Sequence, residues 1–344
     1  MAEKANPLES PVCVTGASGF LGSCLVKALL DKGYTVHGTV RSLNDNGKYD
    51  YLRNLDGASK RLKLFEADLL KKGSFQKAIE GTRCVFHTAS PFFFKDGTRD
   101  NLVKPALEGT ENVLQSVAAV KSVECVVVTS STAAVYVNHN TESIDPKKVY
   151  TEKDWSDVKS MEENKSWYPL SKTLAEKRAA ELAAKAASYR IVCMNPTLIF
   201  GPMLQPNLNT SNAAVLAFIN GTRKEIPNSA KTVVDVRDVA DAHIKAYENE
   251  EAKGRYLLIA ESVTWTTLCE DIKSALVAID KKDKVASVPT KLSSEILKGG
   301  FGAPPPHHTL FDCSKAKDLG VKFRLSKEMI LETVKSLRQH KHIE

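Results

Sequence analysis

Tyr168 and Lys172 stand four residues apart in the run Trp167-Tyr168-Pro169-Leu170-Ser171-Lys172, at the head of an alanine-rich stretch. On a helix, positions i and i+4 share a face. A free phenol titrates near pH 10, so a tyrosine needs help to act as acid or base at neutral pH. An adjacent ammonium gives that help by favouring the phenolate. The same ammonium would reach the ribose hydroxyls of a bound nucleotide. Pro169 fits a first helical turn, where its missing N–H costs nothing. The pair alone occurs in many helices by chance. Two companions give it meaning: the hydroxyl cluster Thr129-Ser130-Ser131-Thr132 and the glycines Gly16, Gly19 and Gly22. At least one of the four hydroxyls is expected to hydrogen-bond a substrate oxygen, and the rest read as a loop that caps a helix.

The glycines lie in Thr15-Gly16-Ala17-Ser18-Gly19-Phe20-Leu21-Gly22, which follows an apolar run and opens a helical pattern. A chain that turns sharply there, with no Cβ in the way, brings the N–H groups and positive dipole end of the helix, at Phe20, Leu21 and Gly22, onto a pyrophosphate. The spacing is GxxGxxG rather than the commoner GxGxxG. A free ribose 2′-hydroxyl is usually met by an acid about 20 residues further on. Here the sequence reads Thr39-Val40-Arg41-Ser42, with no acid before Asp45. The guanidinium of Arg41 suits a 2′-phosphate, and Lys48 adds charge one short loop later. The expected cofactor is NADPH rather than NADH.

A scaffold must bring positions 16, 131, 168 and 172 together. Apolar, β-branched runs at 12–15, 34–40, 62–66, 84–88, 125–129 and 189–194 read as strands. Between them, 21–32, 75–79, 103–120 and 170–187 carry helical spacing, and Gly33 ends the first of these as a C-cap. The alternation implies βαβ units in an α/β fold with a doubly wound, mostly parallel sheet. Ligands of such sheets bind outside the carboxyl ends of the strands, where both the glycine loop and the cluster 129–132 fall. Beyond Pro196 the pattern weakens, with loops rich in Pro, Asn and Gly at 201–212 and 299–308. The expected division is a dinucleotide-binding domain over 10–196 and a smaller mixed region over 197–344. The latter mainly binds substrate and returns some segments to the sheet.

The sequence resembles the extended short-chain dehydrogenase/reductases, and within them the dihydroflavonol reductases, cinnamoyl-CoA reductases and related aldehyde reductases. The resemblance rests on TGASGFLG (15–22), TVR (39–41), Asp68-Leu69, HTASP (87–91), VVTSSTAAVY (127–136), WYPLSKTLAEKRA (167–179), NPTLIFGP (195–202) and VDVRDVADAH (234–243), which span nearly the whole chain. It implies a Rossmann sheet and a set of roles. Ser131 would hydrogen-bond the substrate oxygen, Tyr168 would donate the proton, and Lys172 would hold the ribose and tune Tyr168. Thr132 is the rival to Ser131. Arg41 and Lys48 match the group's 2′-phosphate contacts. Asp68 and Leu69 would flank the adenine, Ala89 would line the nicotinamide side, and Pro196, Thr197 and Leu198 would pack near the carboxamide. The cinnamoyl-CoA reductases carry Asn-Trp-Tyr-Cys-Tyr-Gly-Lys where this chain has Ser-Trp-Tyr-Pro-Leu-Ser-Lys, and the dihydroflavonol reductases place a substrate-reading Asn where Tyr136 stands. A general aldehyde or ketone reductase fits better. An epimerase/dehydratase or a steroid dehydrogenase would share loop and triad, but usually with an acid near 39–41. A non-catalytic NADPH sensor would have no need of Tyr168 with Lys172.

Composition excludes other classes. The 344 residues are 42% apolar and 26% charged, an ordinary globular balance. The net charge of +7 reads first as a solvated basic face, and a basic surface would also favour an anionic cofactor or an acyl-CoA substrate. No basic stripe with interleaved aromatics points to nucleic acid. Seven cysteines without a CxxC pair read as buried free thiols in a reducing compartment. No run approaches bilayer length and residues 1–10 lack an apolar signal core. A soluble cytoplasmic protein is expected, as monomer or homodimer, with a small-molecule carbonyl substrate. The histidines have no HExxH-type spacing, so no metal site is expected, and His243 reads as structural. Phe92, Phe93 and Phe94 are expected to wall the substrate site, with Met203, Phe218, Phe301 and the loop 304–308 as weaker contributors.

Overall fold

The structure is a computed structural model and describes residues 10–44, 48–90, 97–140, 147–296 and 309–344. Phe92, Phe93, Phe94, Phe301 and the loop 304–308 lie outside the described residues.

Along the chain, the strands that build the site are β1 (Val12–Thr15), β2 (Val36–Val40), β3 (Leu62–Glu66), β4 (Cys84–His87), β5 (Cys125–Thr129), β6 (Arg190–Pro196), β7 (Leu198–Phe200), β8 (Ala230–Asp235), β9 (Gly254–Leu258) and β10 (Glu261–Thr264). The main helices are α1 (Phe20–Asp31), α2 (Lys104–Ala118), α3 (Trp167–Ala186), α4 (Val236–Glu248), α5 (Trp265–Ala278) and α6 (Ser326–Gln339). Seven strands form one parallel sheet in the order β9-β6-β5-β4-β1-β2-β3. The order reverses between β1 and β4, which opens the crevice where ligands of doubly wound sheets bind.

Strands buried on both faces read as unbroken apolar runs, and β5, Cys-Val-Val-Val-Thr, is such a run. Its alternate side chains divide between two layers, as period-two geometry requires. Val127, with Val12, Val14 and Phe86, packs under α1 and α4. Val126 and Val128, with Cys13 and Val85, pack under α2 and α3. The last helix of the first half starts three residues earlier than its apolar spacing suggested, so Tyr168 is already in the first turn of α3.

The second half is more regular than its sequence pattern. β7, β8 and β10 form a three-stranded sheet, with β8 parallel to β7 and antiparallel to β10. It packs with α5 and α6 around Phe200, Phe218, Trp265 and Ile330. This corrects the expectation for Met203 and Phe218, which are 2% and 0% exposed. Phe218 faces inward against Trp265, with ring centroids 5.4 Å apart, so both residues are core rather than pocket wall. All seven cysteines are free thiols. Among the described residues, no helix is long and apolar enough to cross a membrane, and no group of His, Cys, Asp or Glu is placed to hold a metal ion.

Candidate active site

The glycine loop joins β1 to α1. Gly16 has φ +68°, and a Cβ there would lie 3.0 Å from the Ala89 Cα. A Cβ on Gly22 would lie 2.2 Å from the Gly16 carbonyl oxygen. The loop is therefore folded back on the first turn of α1 with no room for a side chain. Thr39 fixes it from β2: its Oγ1 accepts from Gly16 N at 3.1 Å and its carbonyl accepts from Ala17 N at 2.9 Å. Just after β4, Ala89 N donates to Thr15 Oγ1 at 3.1 Å, and Thr88 Oγ1 donates to the Thr15 carbonyl at 2.6 Å. The His87 Nδ1 lies 2.9 Å from the same Thr15 Oγ1. Burial, reinforced by the Lys172 charge, pushes the His87 imidazole down to about 3, so the ring is neutral. The N–H groups of Phe20, Leu21 and Gly22 belong to the first turn of α1 and have no acceptor within the helix.

Ser131 follows β5 and caps the 3-10 turn Thr132–Ala134, its Oγ accepting from Ala133 N at 3.1 Å. The Ser131 hydroxyl is near enough to the Tyr168 phenol to favour its ionised form, and both Ser131 and Thr132 are buried. Burial pushes the Tyr168 phenol up to about 12, with the Ser131 hydroxyl acting the other way. Lys172, one turn further along α3, lies 6.0 Å from the centroid of the Tyr168 ring and donates to Ser90 Oγ at 3.2 Å. Burial pushes the Lys172 ammonium down to about 8, and the Glu176 carboxylate opposes that shift.

The remaining positions line the carboxyl ends of the strands. Arg41 is exposed one residue beyond β2, and Lys48 is exposed as well. Asp68 is exposed after β3, where its Oδ1 accepts from Leu70 N at 2.8 Å. Leu69 is half-buried against Gly109, and its carbonyl accepts from Asn112 Nδ2 at 2.7 Å. Pro196 ends β6, Leu198 starts β7, and Thr197 between them donates to the Thr232 carbonyl at 3.0 Å. A small cavity between α2 and α3 brings together Leu69, Ala89, Ser90, Ser130, Lys172 and Glu176. Arg41 and Lys48 do not reach it.

Sequence reasoning missed Glu176, Asn195 and Arg255. They form a buried polar knot behind Ser131, in which Glu176 accepts from Ser130, Asn195 and Arg255. The available signal was spacing, since Tyr168, Lys172 and Glu176 fall at i, i+4 and i+8 on one helix face.

Residues 12–260 match the NAD dependent epimerase/dehydratase family. The chain belongs to this family. A cinnamoyl-CoA reductase from Medicago truncatula is 40% identical over 341 residues, covering 98% of each chain. Cinnamoyl-CoA reductase 1 from Petunia hybrida is 43% identical over 332 residues, covering 96% of this chain and 93% of that one. Among solved structures, the yeast methylglyoxal/isovaleraldehyde reductase Gre2, complexed with NADPH, superposes with a TM-score of 0.80 at 29% identity, covering 97% of this chain and 100% of that one. Within the family, the chain is an oxidoreductase of the dihydroflavonol and cinnamoyl-CoA reductase group.

Proposed function

We propose that the chain is an NADPH-dependent carbonyl reductase that converts an aldehyde or ketone to an alcohol, with Tyr168 as proton donor. The observation that carries this reading is the placement of Tyr168 and Lys172 one turn apart on α3, with the Lys172 Nζ 6.0 Å from the centroid of the phenol ring. The residues present fit the cofactor: Gly16 and Gly22 leave a cradle that a Cβ would fill, and Gly19 opens the helix behind it.

NADPH, when bound, supplies the hydride. The N–H groups of Phe20, Leu21 and Gly22 would hold its pyrophosphate. Arg41 and Lys48 would hold the 2′-phosphate, Asp68 and Leu69 would flank the adenine, and Ala89 with Pro196, Thr197 and Leu198 would line the nicotinamide side. Ser131 donates a hydrogen bond to the carbonyl oxygen and polarises it. Tyr168 hands its proton to that oxygen as negative charge develops there. The Lys172 ammonium reaches the ribose hydroxyls and offsets the charge left on the phenolate. The neutral His87 puts no second cation beside it. The seven free thiols support a cytosolic setting, and the working unit is a monomer or homodimer.

The test is loss of NADPH absorbance, with NADH as control, against aliphatic and aromatic aldehydes, ketones and an acyl-CoA thioester. Turnover of an aldehyde or ketone with NADPH is the expected result. NADPH binding without turnover of anything in the panel favours a substrate outside the panel or the sensor reading. A preference for NADH overturns the assignment of Arg41.

A further inference from the structure

Glu176 is 2% exposed, although it lies on the helix that carries Tyr168 and Lys172. Both of its oxygens are engaged. Oε1 accepts from Arg255 Nε at 2.6 Å, while Oε2 accepts from Ser130 Oγ at 2.5 Å and from Asn195 Nδ2 at 2.8 Å. The same Asn195 Nδ2 donates to the Ser131 carbonyl at 3.1 Å. Arg255 comes from β9 and is 9% exposed. Its other N–H groups donate to the carbonyls of Ala134 at 3.2 Å, Glu152 at 3.1 Å and Asp154. Its guanidinium carbon lies 3.8 Å from the centroid of the Trp155 ring. One ion pair therefore ties the turn that bears Ser131 to α3 on one side and to the segment 152–155 on the other. A buried ion pair is a weak source of stability, because desolvation offsets the attraction. Its placement one turn from Lys172 calls for a functional account.

We propose that Glu176, clamped by Arg255, is a positioning residue that fixes the Ser131 turn against the catalytic helix and keeps the Lys172 ammonium in register with Tyr168. The titratable and charged groups around Lys172 are Tyr168 and Glu176 on its own helix, His87 from β4, and, past Glu176, Cys193 from β6 and Arg255 from β9. His87 is neutral. Burial, then Glu176, pushes the Cys193 thiol up, so it carries no charge. Glu176 is thus the one negative charge in this set, and it favours the protonated form of Lys172.

The inference rests on the reductase reading for its kinetic test, so a binding readout accompanies it. Benzaldehyde reduction by NADPH is followed against pH in wild type, E176Q and E176D. In E176Q, kcat falls about tenfold, KM changes little, and the alkaline limb moves down by about one pH unit, because Lys172 loses its proton earlier. E176D keeps the charge, and therefore keeps the limb. NADPH affinity against pH is read by fluorescence, with K172M as the control that lacks the titrating group. Its alkaline break shifts down in E176Q in the same way, whether or not benzaldehyde is turned over. If E176Q does not fold, E176Q/R255Q, which leaves no lone buried charge, carries the same measurements. A limb and an affinity break at wild-type pH in the folded variant overturn the proposal. A wild type that binds NADPH but reduces no carbonyl compound overturns the reductase reading instead.

Discussion

The Thr129 hydroxyl lies 2.8 Å from Nε2 of His243, whose Nδ1 lies 2.7 Å from the Val239 carbonyl. This fully buried ring joins the end of β5, two residues before Ser131, to α4. Burial pushes His243 down to about 4 from an ordinary 6.5. Below pH 6.5 the unfolded chain binds a proton that the fold does not, so stability is lost as pH falls from 6.5 towards 4. The loss amounts to roughly 3 kcal/mol from this group. Urea unfolding at pH 7 and pH 4.5 measures it. His243→Gln should reduce the slope and leave the share that His87, also held neutral, contributes; an equal slope in both proteins would contradict the account.

Tyr168→Phe removes the phenolic proton while leaving the ring in place. Turnover should fall by about a thousandfold or more, at the upper part of the range for general acid catalysis. NADPH affinity should stay within about threefold, since the phenol is not among the phosphate contacts. Steady-state kinetics and fluorescence titration check the two halves separately. Retained activity would sink the role of Tyr168.

Lys172 carries a stability cost. Its ammonium is held at about 8 against an ordinary 10.5, which corresponds to about 3 kcal/mol of destabilisation below pH 8. The sign follows from proton counts: between pH 8 and 10.5 the unfolded state binds the extra proton, so stability is recovered as pH rises through that window. Lys172→Met should therefore abolish turnover yet raise the melting temperature at pH 7. The gap to wild type should shrink at pH 9.5. A lower melting temperature at pH 7 would refute this balance.

Gly22→Ala puts a methyl group 2.2 Å from the Gly16 carbonyl oxygen. The loop must shift to relieve the clash, and NADPH affinity should fall at least tenfold with the fold intact by circular dichroism. Arg41→Ala acts on selectivity instead. It removes a charge-assisted contact to the 2′-phosphate, worth about 1.5–3 kcal/mol, and leaves NADH binding unchanged. Titration with both nucleotides distinguishes the two variants.

The parallel sheet was legible because each strand of the first half is an apolar run closed by a helix signal, as with 12–15 before the glycine loop. The shared face of Tyr168 and Lys172 was legible in their spacing. Glu176 was not, because a glutamate within Leu-Ala-Glu-Lys-Arg-Ala reads as a solvent-facing helix residue. Its distant partners Ser130, Asn195 and Arg255, the last 79 positions later, explain why it is buried. The second half was poorly legible for a related reason. β7 is three residues long, and Phe218 shows its inward direction only once Trp265 has been placed against it.

The edge strand β9 and its Arg255 are among the later parts of this site to leave the ribosome. Until residues 254–258 emerge, the newly made chain has a glycine cradle but an incomplete catalytic corner. The flank of β6 is an open edge, and the Glu176 carboxylate has no guanidinium to meet. Exposed apolar surface and unpaired strand edges are the features that make nascent chains aggregate and engage chaperones. Cofactor capture by the first half would thus precede the capacity for chemistry, and the exposed interval would last for the synthesis of the intervening sixty or so residues, about 3–12 s at ordinary elongation rates.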